Sequence, residues 1–298
     1  MDKKTAKRLT DHIVYLPCDH ETDRPILAAI SGSERTLIFD AGNSPVHARL
    51  FLEQLADYSL PKSEYLVISH WHWDHIFGMK QMNLPALAHR ETKRKIEKLI
   101  GLDWSDKALD QRVQAGSEIS FCAEMIKKEF PSDLRHEIDL QLPIITFDSQ
   151  LEIDLGGITC LVEHVGGDHA QDSSVLYVKE ERVLFLGDCL GTAIYAPERH
   201  YVPEHFLALL DQVEAYGAQT YVESHYYPQT KEQFSQEINE LRWIAQSVMK
   251  HQGEHEAILG EMVQKLGREL TNGDHVVINY FKEGYRLRAY GAGETVNG

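Results

Sequence analysis

The sequence predicts a mixed α/β (α+β) fold, taken as one domain over residues 1–298. Short apolar runs of strand length alternate with segments in which apolar residues recur at helical spacing. Glycine- and proline-containing turns separate these runs, and no repeat or low-complexity tract interrupts them. Hydrophobic residues make up 43% of the chain, which is enough for a large core.

Strands and one helix are predicted in the N-terminal part. Apolar runs at residues 12–16, 26–30 and 36–39 indicate strands. Ser44-Pro45 then has the form of an N-cap followed by proline in the first helical turn, and Pro61 ends this helix. A further buried strand at residues 65–68 leads directly into a histidine-rich segment.

The central part combines a helical insertion with two hairpins. Charged, helix-forming sequence fills an insertion at about residues 91–142. Strands at 151–155 and 158–165 flank Gly156-Gly157, and strands at 174–178 and 183–186 flank a polar turn. Pro203 opens another helix, and residues 220–222 form the next strand.

A C-terminal extension of helices and one strand is predicted over about residues 230–298. Thr230 and Gln233 have the spacing of a capping box at the start of a long helix. A helix at 257–266 and a strand near 276–281 follow.

The charge and the cysteines limit the partners and the compartment. A net charge of −16 disfavours a nucleic-acid polymer or an anionic membrane as partner, and a small-molecule substrate is expected. The cysteines lack CxxC spacing, no apolar segment follows the basic N-terminus, and no apolar run could span a bilayer. We therefore expect a cytoplasmic location.

The segment His70-Trp71-His72-Trp73-Asp74-His75 carries the strongest chemical signal. Four side chains that can bind a metal lie within six residues, directly after a strand. Positions 70, 72 and 74 would point the same way in an extended chain, and a turn is needed to bring His75 round. Imidazoles and a carboxylate suit zinc, which needs only three protein ligands in a catalytic site. The segment therefore indicates either two metals or some idle side chains, whereas ordinary packing histidines are the simpler alternative.

Three later strand ends carry candidate ligands. They are Gly166-Gly167-Asp168-His169, Leu186-Gly187-Asp188-Cys189 and Val222-Glu223-Ser224-His225. Each places a histidine or an aspartate at the mouth of a sheet, where ligands gather in layered α/β folds.

These motifs, in this order, resemble those of the metallo-β-lactamase superfamily over residues 12–228. With Asp40 in Ile38-Phe39-Asp40-Ala41-Gly42, five separate elements agree. The resemblance implies a four-layer αβ/βα sandwich with a metal centre at one edge between the sheets. Two features differ: the third motif reads Gly-Asp-His rather than Gly-His, and the helical insertion is longer than in compact members.

The resemblance also implies a site of two divalent metal ions. The first ion would be held by His70, His72 and His169, and the second by Asp74, His75 and His225. Asp188 would bridge the two ions, and Asp40 would support the metal loop from behind the ligands. Asp74 would in addition act catalytically by orienting the nucleophile.

Several assignments have rivals. His164 could replace His169, although the glycines before His169 favour the latter. Asp168 could be a ligand, but a role in the turn is preferred. Cys189 could supply a thiolate, but a buried thiol is preferred because it would point the opposite way from Asp188.

Other residues near the motifs are candidates either for packing the loop or for contacting the substrate. Trp71 and Trp73 are expected to pack the loop onto the body of the protein. A basic run could receive an anionic substrate, although a solvated helix face is the default, and one tyrosine could reach a substrate oxygen. The basic run comprises Arg90, Lys93, Arg94, Lys95 and Lys98, and the tyrosines are Tyr195, Tyr226 and Tyr227.

The predicted function is hydrolysis of a small ester, thioester or lactone by a hydroxide held between two divalent ions. Zinc is the first choice of metal, with manganese or iron as alternatives. A phosphodiesterase is the second candidate. A di-iron redox protein of the same fold is a third, although such relatives carry Glu where His72 stands. A non-catalytic binding module is disfavoured because the ligand set is complete. The insertion and the C-terminal helices either wall the cleft or form an oligomer contact.

Overall fold

The computed structural model describes residues 5–291 and contains two β-sheets packed face to face with helices on both outer faces. This is the four-layer arrangement predicted for the sequence. The described part leaves out residues 1–4 and 292–298. These are the start of the basic N-terminus and the end of the predicted C-terminal extension.

The first sheet has seven strands that lie side by side in chain order. They are β1 (Lys7–Thr10), β2 (Ile13–Leu16), β3 (Leu27–Ser31), β4 (Thr36–Phe39), β5 (Ser63–Val67), β6 (Ala86–His89) and β7 (Ile145–Phe147). Strands β1 to β4 pair antiparallel, and β4 to β7 pair parallel. The carboxyl ends of β4 and β5 therefore meet at the same edge.

The second sheet has six strands and is mainly antiparallel. They are β8 (Gln150–Asp154), β9 (Thr159–His164), β10 (Ser174–Val178), β11 (Val183–Gly187), β12 (Thr220–Glu223) and β13 (Gln229–Thr230). The parallel pair in this sheet is β11 with β12, so these strands also end at a common edge.

Ten helices are described within residues 5–291. They are α1 (Pro45–Leu55), α2 (Trp73–Ile76), α3 (Met79–Met82), α4 (Arg90–Glu97), α5 (Asp106–Gln114), α6 (Ser120–Glu129), α7 (Pro203–Ala215), α8 (Lys231–Lys250), α9 (His255–Leu266) and α10 (Asn272–Gly291). Of these, α1, α7, α8, α9 and those of the insertion were predicted, whereas α2, α3 and α10 were not. The predicted caps of α1 and α8 are confirmed: Ser44 Oγ accepts the His47 N–H, and Thr230 and Gln233 form a reciprocal capping box.

Strand alternation divides the core into three apolar layers. On β3, Ala28 and Ile30 face the second sheet, whereas Leu27 and Ala29 face the outer helices. Between the sheets, the rings of Phe39 and Phe185 lie 5.4 Å apart. Both faces of each sheet are covered, which explains why the central strands read as continuous apolar runs.

The insertion between β6 and β7 packs on the outer face of the first sheet. Helices α4 to α6 and a 3₁₀ turn at Arg135–Glu137 fill it. The ring of Phe77, which follows α2, lies 4.9 Å from Trp104 and 6.1 Å from Phe130. The insertion is thus attached to the segment that carries the histidine motif.

The strand predicted near residues 276–281 is wrong, because this segment lies within α10. The β-branched run there suggested a strand, but the residues that pack inward lie at helical spacing. Val277, Ile278, Phe281 and Tyr285 contact the core under the second sheet, whereas Val276 is exposed.

Backbone hydrogen bonds join the two sheets at the edge where the predicted ligands lie. Ser174 N–H donates to Ser69 O at 2.8 Å, and Ile26 N–H donates to Ser224 O at 2.7 Å. Across residues 5–291, every helix is too short or too polar to span a bilayer.

Candidate metal centre

The histidine motif changes conformation in its middle. Strand β5 ends at Val67, His70 follows in a segment without regular secondary structure, and α2 begins at Trp73. The alternation expected of an extended chain therefore does not apply at Asp74. The helical turn separates His70 and His72 from Asp74 and His75, which join two different groups of side chains.

Asp40 holds this segment from behind. Its side chain is fully buried at the end of β4, on a left-handed backbone conformation with φ of 59°. Asp40 Oδ1 accepts the Ser69 N–H at 2.8 Å. Asp40 Oδ2 accepts from Ser69 Oγ at 2.9 Å and from His75 Nδ1 at 2.8 Å. Because Nδ1 of His75 is engaged with Asp40, Nε2 is the ring nitrogen that faces the other candidate ligands.

Two glycines bring His169 to the centre. Gly166 and Gly167 both have positive φ angles, 66° and 120°, which side chains with a Cβ rarely adopt. His164 lies elsewhere. Its ring stacks on His89 with centroids 3.9 Å apart, and its Nε2 donates to Gln171 O at 2.8 Å.

The first group contains His70, His72 and His169. One nitrogen from each lies within 4.8 Å of the others. Burial is the main cause that lowers the pKa of all three, and neighbouring imidazoles lower the pKa of His70 and His72 further. These rings are therefore neutral at pH 7, which is the form that binds metal ions.

The second group contains Asp74, His75, Asp188 and His225, again within 4.8 Å. Burial opposes charge on His75, but the carboxylates of Asp74, Asp40 and Asp188 outweigh it and raise its pKa. For His225, burial is likewise outweighed by Asp188 and Asp74. Burial alone would raise the pKa of both aspartates, but the histidines lower it below the ordinary value.

A single oxygen of Asp188 lies close to histidines of both groups. Asp188 Oδ2 is 3.5 Å from His169 Nε2 and 4.0 Å from His70 Nε2, which belong to the first group. It is also 3.4 Å from the Nε2 atoms of His75 and His225 in the second group. The structure thus brings all seven predicted ligand residues together, and their assignment as ligands stays a prediction.

Unpartnered ring nitrogens test whether a cation fits this site. Within residues 5–291, the buried Nε2 atoms of His72 and His169 have no hydrogen-bond partner. Buried polar atoms without a partner are costly, and a bound cation would accept their lone pairs. The donor set of five imidazoles and two carboxylates therefore fits divalent metal ions.

The rival ligands lie outside both groups. Asp168 Oδ2 accepts the Val202 N–H at 2.8 Å, so its carboxylate ties the turn before His169 to the start of α7. Cys189 is 1% exposed and packs in the apolar layer under the second sheet, where burial raises the pKa of its thiol. Neither residue belongs to a candidate metal group among the described residues.

The two tryptophans of the motif differ in environment. Trp73 is 3% exposed and packs against Phe77, as predicted. Trp71 instead borders a cavity of about 170 Å³, beside His72 and Tyr195. Tyr195 Oη donates to Glu118 Oε1 at 3.0 Å, which turns its hydroxyl away from the histidines and toward the insertion.

Asp23 is a residue that the sequence did not single out. Its Oδ1 lies 3.4 Å from His225 Nδ1, on the side of the ring opposite to Asp74. Asp23 has a left-handed backbone with φ of 59°, in a turn closed by mutual backbone hydrogen bonds between Asp19 and Arg24. No local spacing could reveal this contact, because it joins residues 202 positions apart.

The family comparison agrees with this geometry. A model of the metallo-β-lactamase superfamily matches residues 27–222, which include every residue of the two groups except His225.

The chain belongs to the metallo-β-lactamase superfamily.

Solved structures support the same fold for this superfamily member. A metallo-β-lactamase from Pontibacter korlensis is 17% identical, with a TM-score of 0.53, covering 78% of this chain and 96% of that one. The structure of TMB-1 is 13% identical, with a TM-score of 0.53, covering 78% and 93% of the two chains. At these identities the likeness concerns the fold alone. No curated protein matches the chain.

Proposed function

We propose that this superfamily member is a hydrolase that uses two divalent cations, with zinc as the first choice and manganese or iron as alternatives. His70, His72 and His169 would hold one ion, and Asp74, His75 and His225 the other. The observation that supports two ions rather than one is the position of Asp188 Oδ2, within 4.0 Å of histidine nitrogens from both groups.

Divalent ions at this site would polarise a substrate oxygen and lower the pKa of a water molecule to about 7. The residues of the chain would orient the reactants. Asp74 Oδ2 is 3.1 Å from the Nε2 atoms of both His75 and His225, so its other oxygen, Oδ1, is the atom we assign to orienting the attacking water. Asp40 would keep the His75 ring in place through Nδ1.

The proposed substrate is a small ester, thioester or lactone. The donors are nitrogen and oxygen, without a thiolate, since Cys189 is buried away from the centre. A cavity of about 270 Å³ borders Asp188, His169 and His225, and this volume suits a small substrate.

A substrate panel with defined metals tests the proposal. Metal-free protein would be reconstituted with Zn²⁺, Mn²⁺ or Fe²⁺ and assayed against esters, thioesters, lactones, β-lactams and phosphodiesters. We expect an ester, thioester or lactone to be hydrolysed, the activity to disappear on chelation, and the activity to return with metal.

Two results would contradict the proposal. Turnover of phosphodiesters alone would replace the acyl substrate class. Oxygen consumption by the iron-loaded protein without any hydrolysis would replace hydrolysis by redox chemistry.

A further inference from the structure

A small cavity beside the first histidine group has a charged residue in its wall. The cavity has a volume of about 170 Å³ and is bordered by His72 and His169. Trp71, Tyr195 and Lys95 line it as well. Lys95 lies on α4, in the insertion, and is the member of the basic run that reaches this cavity.

The ammonium group of Lys95 is held in place on two sides. Its Nζ lies 5.2 Å from the ring centroid of Trp71 and 3.0 Å from Asp172 Oδ1. Asp172 is fully buried, and its other oxygen accepts from Thr92 Oγ1 at 2.8 Å. These contacts fix a long, flexible side chain in one orientation before any ligand arrives.

Lys95 retains capacity for a further ligand. An ammonium group has three N–H donors, and Asp172 accepts one of them. The Lys95 side chain is 30% exposed, so the group can still be approached from the cavity. On the same helix Arg94 pairs with Glu91 at the surface, and the residue that caps the helix, Lys98, is exposed.

The other charged group of the cavity is directed elsewhere. Asp168 also lines it, but Oδ2 accepts the Val202 N–H, and Oδ1 lies 3.8 Å from His205 Nδ1. The aromatic rings of Trp71 and Tyr195, whose centroids lie 5.1 Å apart, give this cavity an apolar wall. The cavity is thus lined by a cation, by apolar surface and by two of the candidate metal ligands, His72 and His169.

We infer that Lys95 determines specificity by binding a carboxylate on the acyl part of the substrate. This inference rests on the proposed hydrolase function and narrows its substrate class to small esters, thioesters or lactones whose acyl chain carries a carboxylate. Trp71 and Tyr195 pack against the carbon atoms that connect this carboxylate to the scissile carbonyl.

Binding of matched carboxylates tests the inference without turnover. Succinate and butyrate both have four carbons and differ by the second carboxylate. With zinc-loaded protein, calorimetry is expected to show succinate binding at least tenfold more tightly than butyrate. Lys95→Gln should bring the two affinities within about twofold of each other, because the partner of the second carboxylate is lost. Lys98→Gln, a change at the exposed end of the same helix, should retain the preference.

A double variant separates recognition from folding. Lys95→Gln leaves Asp172 buried without its cation, which could destabilise the protein. In Lys95→Gln/Asp172→Asn both charges are removed while two amides replace the ion pair, so the fold is retained and the succinate preference should still be lost. An unchanged preference in both variants would overturn the inference.

Kinetic measurements show whether the role of Lys95 or the proposed hydrolase function fails. Phenyl hydrogen succinate and phenyl butyrate form a matched pair of esters. Hydrolysis of both esters with the same sensitivity to Lys95→Gln overturns the role of Lys95 and leaves the hydrolase function standing. Succinate binding that depends on Lys95, without hydrolysis of any acyl substrate, supports the carboxylate site and overturns the hydrolase function.

Discussion

Asp188 is the candidate ligand whose side chain lies close to histidines of both groups. One of its oxygens lies within 4.0 Å of four histidine nitrogens, and its side chain is 13% exposed. A carboxylate so placed can serve two cations at once, which no imidazole can do with one lone pair. The two-ion proposal therefore depends on this side chain more than on any single histidine.

Asp188→Asn keeps the shape of the side chain and removes its charge. We expect the bound metal to fall below two ions per chain and kcat/KM to fall by about 100-fold or more, since an amide is a poor bridging ligand. Elemental analysis and steady-state kinetics would measure both. Asp57→Asn, at an exposed aspartate, is the control and should match the unmodified protein.

Asp23 lies behind His225, with Oδ1 3.4 Å from His225 Nδ1 on the side opposite to the centre. Asp23→Asn should weaken binding of one metal ion by about tenfold to 100-fold, the usual effect of losing a partner behind a histidine ligand. Affinity for the other ion should be unchanged, as shown by competition with a chelator. Glu21→Gln, on the exposed part of the same turn, should alter neither ion. Equal weakening of both ions in Asp23→Asn would contradict a role through His225.

The sequence predicted the site residues that directly follow strands. It did not predict those that a distant turn or the insertion brings to the site. Asp188 and His225 were predictable because an apolar strand ends just before each of them. Asp23 and Lys95 reach the site from a turn and from the insertion, and their placement depends on tertiary packing. Lys95 looked like part of a solvated helix face because the sequence alone cannot show that Trp71 and Asp172 lie next to it.

At the scale of elements, α10 approaches the segment before α7 very closely. A Cβ placed on Gly284 would lie 1.9 Å from Tyr201 O, and the Tyr201 N–H donates to Tyr280 O at 3.1 Å. Glycine thus allows this helix to pack against the backbone of another segment. In a strand at residues 276–281, Ile278 and Phe281 would point to opposite faces, whereas in the helix they share one face with Tyr285.

A pair of substitutions tests this close approach. Gly284→Ala should destabilise the protein by about 2 kcal/mol, because the backbone of one segment must move. Gly260→Ala, in α9 where a Cβ meets no atom within 4 Å, should stabilise it by about 0.5–1 kcal/mol. Urea unfolding would measure both changes. Equal effects of the two substitutions would show that α10 does not pack as described.

Local sequence rules predicted the element ends that a few neighbouring residues determine. They failed for elements whose conformation depends on tertiary packing. Proline, capping residues and paired glycines predicted the starts of α1 and α8 and the turn between β8 and β9. The short helix α2 was not predicted, because four residues carry too little periodicity to distinguish a helical turn from an extended chain. Its helical form separates Asp74 from His70 and His72.

At the scale of the molecule, the candidate centre joins the two sheets. The Asp40–Ser69–His75 contacts belong to the first sheet, whereas His169, Asp188 and His225 follow strands of the second. Ions bound between them would therefore link both halves of the sandwich, in addition to the hydrogen bonds of Ser174 and Ile26.

Removal of metal should lower the thermal stability of the whole protein. Two ions, each at 100 times its dissociation constant, would contribute about 5 kcal/mol, which corresponds to a shift in Tm on the order of 10 °C. Differential scanning calorimetry with and without a chelator would measure it. Asp188→Asn should show a smaller shift, and an equal Tm in all four samples would contradict a link between the sheets.

The central claim is that seven side chains hold two cations in one pocket. A crystal structure of the zinc-loaded protein, with anomalous scattering at the zinc edge, tests it most directly. We predict two anomalous peaks, one among His70, His72 and His169 and one among Asp74, His75 and His225, with Asp188 in contact with both. A single peak, or peaks bound by other side chains, would contradict a two-ion centre held by these seven residues.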